Sequence, residues 1–220
     1  WWIFKELARK GLVYEGFKSM HLCPRCETTL SNFEVSQGYK DITDLSLYVK
    51  FELVDPLGNY ARGGKTSPDT GREASTYFLV WTTTPWTLPG NVALAVNRGI
   101  EYVKVKIVKD KNQGAGASEK RALEFFILAK TRLGAVMRDF ECEIVSAFKG
   151  EALVGKNYIP PFDYYFKSDL KHRENGWRVY DASFVTAADG TGIVHIAPAF
   201  GEDDLSLGTE KQLPFVQHVS

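Results

Sequence analysis

Alternating apolar and polar residues predict several β-strands along the chain. "EYVKVKIVK" (101–109) alternates without interruption, and "ASTYFLVWTTT" (74–84) contains a strongly apolar run. The turn at Asp189-Gly190 has an apolar segment on each side, which predicts two further strands. The same reasoning predicts strands in 33–54, 91–97, 122–130 and 141–150, and a short strand from residue 11 toward Cys23.

Helical patterns are fewer and stand near the ends of the chain. Trp1, Phe4 and Leu7 have near-helical spacing, and Gly11 is a suitable stop for a helix over 1–10. Shorter helices are expected in 131–140 and 203–213, and loops in 55–73 and 110–121. Short strands with turn signals therefore predict a mainly β (α+β) fold, a β-barrel or tightly rolled sheet with peripheral helices.

Composition limits the functions that remain. The 220 residues carry 27 basic and 27 acidic side chains, so the net charge is zero. A domain that wraps nucleic acid is usually basic, so we expect at most a local contact with one end or one nucleotide. The apolar runs are far shorter than the ~20 residues of a membrane span, so no membrane contact is expected. Three cysteines are too few for a disulfide framework, which favours a cytoplasmic protein.

The segment "WTTTPWTLPGN" (81–91) places three hydroxyl groups where a strand ends. In extended backbone Thr82 and Thr84 point one way and Thr83 the other. Pro85 cannot donate to a ladder, and Pro89-Gly90 predicts a type II turn that returns the chain directly into 91–97. The segment is either a strand that happens to end in threonines or the polar rim of a ligand pocket.

The segment "DGTGIVHIAPAFGEDD" (189–204) also permits more than one interpretation. His195 shares a strand with apolar residues, as a core histidine or a functional one would. Glu202, Asp203 and Asp204 precede a helical pattern, where acids stabilise a helix N-terminus. A metal site is a weaker alternative. A third is a carboxylate that receives a ligand ammonium group.

Together these two segments resemble the signatures of the editing domain inserted into isoleucyl-tRNA synthetases, a class I family. The segments "WWIFKELARKGLVYEGFKSM" and "CPRCETTLSNFEVSQGYKDI" are similar to the connection from the catalytic domain of that family. The resemblance implies a β-barrel of the class I editing type at 41–220 and a connecting segment at 1–40, both within a piece of a larger enzyme. The aminoacylation signatures His-Ile-Gly-His and Lys-Met-Ser-Lys-Ser are absent, so charging of tRNA is not expected of this chain.

The resemblance also implies a function, namely hydrolysis of valine esterified to isoleucine tRNA. One methylene group discriminates poorly in a binding pocket, a limit for which this family is the standard example, so a second, size-selective pocket is needed. The expected partners are the tRNA acceptor end carrying valine and the remainder of the synthetase chain. A cytoplasmic monomer is expected, with no cofactor here and any ATP or zinc site outside the chain.

Site residues are likewise implied by the resemblance. Residues matching the family's contacts to the terminal adenosine and the ester are Thr82, Thr83 and Thr84, with Asn91 and Trp86 beside them. His195 matches the residue that bounds the side-chain pocket, and Asp204 matches the aspartate that holds the substrate ammonium. We expect direct attack by a bound water that threonine hydroxyls and backbone N–H groups orient. His195 as a general base is the second choice.

Two alternatives of other classes remain open. The chain could be a non-catalytic module that binds the tRNA acceptor end, which a deacylation assay would distinguish. It could also be a zinc-stabilised interaction domain, since Cys23 and Cys26 have the spacing of half a zinc ribbon and His21 lies nearby. A structural zinc needs four ligands, and only Cys142 remains, so two reduced thiols in a tight turn are the simpler interpretation.

Overall fold

A computed structural model describes residues 1–54, 65–66, 73–111 and 123–219. Most of the predicted loop at 55–73 and of the predicted hairpin tip at 110–121 lies outside these residues. The chain divides into two compact units, Trp1–Ile42 and Thr43–Ser220. The assignment of 1–40 as a connecting segment and of 41–220 as an editing domain stays a prediction.

The first unit contains the predicted N-terminal helix, α1 (Trp2–Arg9). Gly11 has a φ of 69°, and the Leu12 N–H donates to the Leu7 carbonyl at 3.0 Å, so the helix ends where the glycine predicts. The apolar side chains of α1 are exposed. The short strand predicted from residue 11 is reduced to β1 (Leu22–Cys23), which forms a hairpin with β2 (Thr28–Thr29).

The prediction of strand at 33–37 is wrong, because α2 (Asn32–Gln37) lies there. Ser31 accepts from the Glu34 N–H at 3.3 Å, and Glu34 Oε2 accepts from the Ser31 N–H at 2.8 Å. This reciprocal pair satisfies two N–H groups at the helix start, which strand geometry would not do. The predicted strand survives further along, as β3 (Leu47–Leu53).

The second unit is built on a seven-stranded sheet. Besides β3, its strands are β4 (Lys65–Thr66), β5 (Glu73–Thr82), β7 (Glu101–Asp110), β8 (Leu123–Ala129), β9 (Phe140–Lys149) and β10 (Tyr158–Ile159). In the sheet β10, β3, β5, β8, β7 and β9 follow one another, and β4 pairs with β5. The β5–β8 pair is parallel and the other pairs are antiparallel. The predicted strands at 74–84, 101–109, 122–130 and 141–150 are confirmed within this sheet.

A three-stranded sheet has β6 (Ala93–Val96) at its centre. Its neighbours are the parallel strand β11 (Arg178–Asp181) and the antiparallel strand β12 (Val194–Ile196). The expected direct return of β5 onto residues 91–97 is therefore wrong. A 3₁₀ helix, Pro85–Gly90, intervenes, and Gly90 lacks the positive φ that a type II turn requires.

Residues 190–192 connect the two sheets just before β12. The Ala129 N–H donates to the Thr191 carbonyl at 2.8 Å, and the Tyr102 hydroxyl donates to the Gly192 carbonyl at 2.6 Å. Gly192 has a φ of 75°, and a Cβ there would lie 2.6 Å from the Ala129 Cβ. Glycine is therefore required at this point for both conformation and space.

Three apolar clusters hold the second unit together. One face of the large sheet packs with the small sheet around Phe78, Tyr102 and Leu94, and the opposite face packs around Phe126. Leu207 of α4 (Glu202–Glu210) covers the small sheet. α3 (Leu133–Val136) contributes partly buried residues to the cluster around Phe126.

The fold class is thus confirmed as mainly β with peripheral helices. The strand pairs of the described residues do not close on themselves, so a complete barrel stays a prediction. None of the helices in the described ranges combines the length and the apolarity that crossing a bilayer requires.

Candidate functional site

The threonine segment lies where β5 ends. Thr82 is its last residue and is buried, while Thr83 and Thr84 are exposed. The Thr84 N–H donates to Thr82 Oγ1 at 3.1 Å, and the two Oγ1 atoms are 3.4 Å apart. The backbone at Thr84 is bent (φ −124°, ψ 63°), so the two hydroxyls are brought together by this bend and not by the extended strand that the sequence predicts.

Thr87, which sequence reasoning missed, connects this segment to β12. Its N–H and its hydroxyl both donate to the Thr84 carbonyl, at 3.0 and 2.8 Å. Its Oγ1 also lies 3.1 Å from Nε2 of His195. The one hydroxyl proton is given to the carbonyl, so His195 Nε2 must be the donor to Thr87. A hydroxyl three residues after Thr84 in a proline-initiated turn was the available signal.

His195 is buried, with 7% of its surface exposed. Burial lowers its pKa to about 4, so the imidazole is neutral near pH 7. With the proton on Nε2, Nδ1 is a bare acceptor, and it is buried with no hydrogen-bond partner among the described residues. His195 thus combines a core position with one polar atom that is still free to accept.

We call Thr82, Thr84, Thr87 and His195 the threonine–histidine network, since hydrogen bonds join each to the next. It spans from the end of β5, through the 3₁₀ helix, to the middle of β12. The N–H groups of Thr84 and Thr87 and the Thr87 hydroxyl donate within the network, so the Thr82–Thr84 hydroxyl pair and Nδ1 of His195 remain to interact with an uncharged, polar group such as an ester or a ribose.

Asp204 lies in the first turn of α4, and its Oδ2 accepts from the Ala197 N–H at 2.9 Å. Burial raises the pKa of its carboxyl to about 6, with the Ala197 N–H opposing the rise and the charge of Asp203 adding to it. The carboxylate is therefore held at Ala197, which directly follows β12 and lies two residues after His195. A partly buried carboxylate with a pKa of about 6 is still ionised near pH 7 and is a suitable receptor for an ammonium group.

Asn91 and Trp86 are placed differently from each other. Asn91 is buried, its Oδ1 accepts from the Tyr158 hydroxyl at 2.6 Å, and its Nδ2 donates to the Ala93 carbonyl at 2.9 Å. Both ends of this amide are thus engaged in the protein. Trp86 is 61% exposed, and its carbonyl accepts from His218 Nε2 at 2.9 Å. Ligand contacts by these two residues stay predictions.

The cysteine turn belongs to the first unit. Cys26 Sγ lies 3.3 Å from Thr28 Oγ1, and hydrogen bonding from Cys26 lowers the pKa of Cys23. Cys142 lies in β9, where burial raises the pKa of its thiol. No group of three His, Cys, Asp or Glu side chains suited to a metal ion occurs in the described parts of the chain. The zinc hypothesis is neither supported nor tested by this arrangement.

Comparison with known proteins identifies the family. The family model for "tRNA synthetases class I (I, L, M and V)" matches residues 1–198. The chain belongs to the class I tRNA synthetases. Within that family, it is 42% identical over 219 residues to isoleucine--tRNA ligase of Bacillus thuringiensis (strain Al Hakam), which covers 100% of the chain and 18% of the relative. The cytoplasmic isoleucine--tRNA ligase ascribed to Dictyostelium discoideum is 41% identical over 208 residues, covering 94% of the chain and 16% of that protein.

Solved structures show the same fold in this class I synthetase chain. The crystal structure titled GlLeuRS-CP1 matches with a TM-score of 0.54 and 20% identity, over 76% of the chain and 59% of that structure. The cytosolic leucyl-tRNA synthetase editing domain of P. knowlesi matches with a TM-score of 0.54 and 16% identity, over 76% and 64%. The resemblance of the fold to that of synthetase editing domains is thereby confirmed, and the chain spans less than a fifth of its isoleucine--tRNA ligase relatives.

Proposed function

We propose that this editing module hydrolyses valine from mischarged isoleucine tRNA. The observation that carries the proposal is the threonine–histidine network, which places hydroxyl donors and a neutral imidazole side by side in a synthetase editing fold. Similarity to isoleucine--tRNA ligases over the whole chain supports isoleucine tRNA as the carrier. The partners are then the tRNA acceptor end and the rest of the synthetase.

Substrate placement follows from the charges. The carboxylate of Asp204 receives the ammonium group of the aminoacyl ester, a charge-assisted hydrogen bond. Thr83 and Thr84, which are exposed, take the terminal adenosine and the ester. His195 bounds the space for the side chain, where valine fits and the extra methylene of isoleucine does not.

The reaction is attack of water on the ester carbonyl carbon. The bond from that carbon to the ribose oxygen breaks, the ribose oxygen takes one proton from the attacking water and becomes a hydroxyl, and valine leaves with the water oxygen in its carboxyl group. Threonine hydroxyls and backbone N–H groups orient the water and stabilise the developing oxyanion. A histidine with a pKa of about 4 is a weak base at neutral pH, so His195 serves better as a wall and acceptor than as the general base.

The test is deacylation of valyl-tRNA of the isoleucine type by the intact synthetase that carries this segment. Hydrolysis well above the spontaneous rate, with isoleucyl-tRNA spared, is expected. Tight binding of the acceptor end without hydrolysis would contradict the proposal and favour the non-catalytic module instead.

Two variants separate the assigned roles. Asp204→Ala should lose most activity on the valyl ester, while Asp203→Ala, an exposed neighbour in the same helical turn, should retain it. His195→Ala should admit the isoleucyl ester. If selectivity survives that change, the size-wall role of His195 is wrong.

A further inference from the structure

The chain segment that follows α4 returns to the 3₁₀ helix of the site and contacts it through one histidine. His218 Nε2 lies 2.9 Å from the Trp86 carbonyl oxygen, and a carbonyl oxygen only accepts, so His218 is the donor. The residues before it are anchored, because Leu213 and Val216 are buried in the cluster of the small sheet. His218 is therefore carried by an anchored segment.

The acceptor of this hydrogen bond belongs to a peptide plane that matters for the site. The Trp86 carbonyl and the Thr87 N–H form one planar unit. His218 holds the carbonyl end, and the Thr84 carbonyl holds the N–H end at 3.0 Å. The plane also contains the Thr87 Cα, from which the side chain that is hydrogen-bonded to His195 extends. The Trp86 side chain is exposed, so it contributes little packing that could replace this hold.

The imidazole of His218 is also confined by close neighbours. A Cβ on Gly90 would lie 2.9 Å from His218 Nδ1 and 3.1 Å from the Phe200 ring. The ring centroids of Phe200 and His218 are 4.6 Å apart. Phe200 itself lies in the turn between β12 and α4, where its N–H donates to the Ala197 carbonyl at 2.9 Å. His218 thus joins the 3₁₀ helix to the turn that precedes α4, the helix that carries Asp204.

We propose that His218 is a positioning residue for ester hydrolysis, which holds the Trp86–Thr87 peptide plane and, through Thr87, orients His195. This role rests on the proposed function, because it acts on the network assigned to that reaction. The small size of Gly90 is part of the same device, since it lets the imidazole lie against the 3₁₀ helix. Gly90 does not have a positive φ, so an alanine there meets a crowding problem and not a backbone one.

The test uses the intact synthetase and four variants of the segment that carries His218. His218→Ala should lower kcat for valyl-tRNA deacylation about fivefold, as expected for one lost hydrogen bond. His218→Gln places an amide N–H near the former Nε2 and should restore kcat to within about twofold, whereas the shorter His218→Asn should not. Gln217→Ala, an exposed neighbour on the same segment, is the matched control and should match the wild type. Charging with isoleucine should be unchanged in all variants, which shows that they fold.

A double-mutant cycle tests the contact itself. Gly90→Ala should lower kcat in the wild-type background and lower it less in the His218→Ala background, because the imidazole that the methyl group meets is then gone. Equal losses in both backgrounds would overturn the proposal. So would a His218→Ala enzyme with wild-type kcat, or a glutamine variant no better than the asparagine variant.

Hydrogen exchange separates this proposal from the proposed function. Amide exchange in the Pro85–Gly90 segment should be faster in His218→Ala and Gly90→Ala than in the wild type, with β7 unchanged. If the wild-type enzyme does not hydrolyse valyl-tRNA, the proposed function fails. The exchange rates at Pro85–Gly90 still show whether the His218 hydrogen bond stabilises the Trp86–Thr87 peptide. Unchanged exchange at 85–90 would refute the positioning role whatever the activity shows.

Discussion

Acidification should destabilise the fold through His195. Burial lowers its folded pKa from 6.5 to about 4, so the unfolded chain binds a proton more readily between these values. Stability from the neutral, buried imidazole is therefore fully present above pH 6.5 and is lost as pH falls toward 4. The buried Nδ1 has no hydrogen-bond partner among the described residues. No acceptor among those residues would therefore offset the cost of a positive charge if Nδ1 took up a proton.

The size of the effect follows from the two pKa values. The gap between 6.5 and about 4 corresponds to about 3 kcal/mol of folding free energy once both states are protonated. At pH 5 the folded state is still mostly neutral, and the loss is about 2 kcal/mol. That is a large share of the free energy of unfolding of a typical protein, about 5–15 kcal/mol.

The assay is urea unfolding of this chain between pH 4 and pH 8, with His195→Gln as the matched control. Gln can donate to Thr87 Oγ1 from nearly the same place, but it does not titrate. In the difference in unfolding free energy between the two proteins, the contributions of the other titrating groups cancel. One of these groups is Asp204, whose effect on stability has the opposite dependence on pH. The wild type should lose about 2 kcal/mol relative to the variant from pH 7 to pH 5. A difference that stays constant over this range would refute a buried neutral histidine.

Three further predictions concern neighbouring groups. Thr87→Val should leave the buried His195 N–H unpaired and cost about 1–3 kcal/mol in urea unfolding, with loss of ester selectivity in deacylation. From pH 4 to pH 8 the wild type should lose up to about 3 kcal/mol of unfolding free energy relative to Asp204→Asn, because a raised carboxyl pKa means that the stability of the wild type falls as pH rises through about 6. A difference between the two proteins that does not change with pH would contradict this. Gly192→Ala should lower stability by about 3 kcal/mol or more, seen as a lower thermal midpoint, because its φ is positive and Ala129 fills the space.

The local pattern of apolar and polar residues was enough to predict four strands of the large sheet, but not β4, which lies in the predicted loop, or β10. β5, β7, β8 and β9 have apolar runs or alternation that depends only on adjacent residues. It failed at α2, where the Ser31–Glu34 capping signal outweighed a weak strand pattern. It failed again for the partners of β6, because the alternation in a strand does not say which other strand lies beside it.

The candidate site shows the same limit. Two-residue periodicity predicts Thr82 and Thr84 on one side of an extended strand, but their hydroxyls meet because the chain bends after Thr82 and the Thr84 N–H donates to Thr82 Oγ1. The link from Thr87 to His195 joins residues 108 positions apart, which no local pattern encodes. The same holds for Asn91, whose partner Tyr158 is 67 positions away. Long-range hydrogen bonds of this kind depend on tertiary packing that the segment itself cannot report.

The hydrogen bonds at residues 190–192 have a consequence for how the second unit unfolds. The Thr191 carbonyl is bonded to the last residue of β8, and the Gly192 carbonyl to a tyrosine whose hydroxyl also accepts from the Asn97 N–H just after β6. Opening the small sheet therefore breaks bonds that the large sheet also uses. Both sheets should melt in a single cooperative transition, with amide protection shared across the joint rather than lost from one side first.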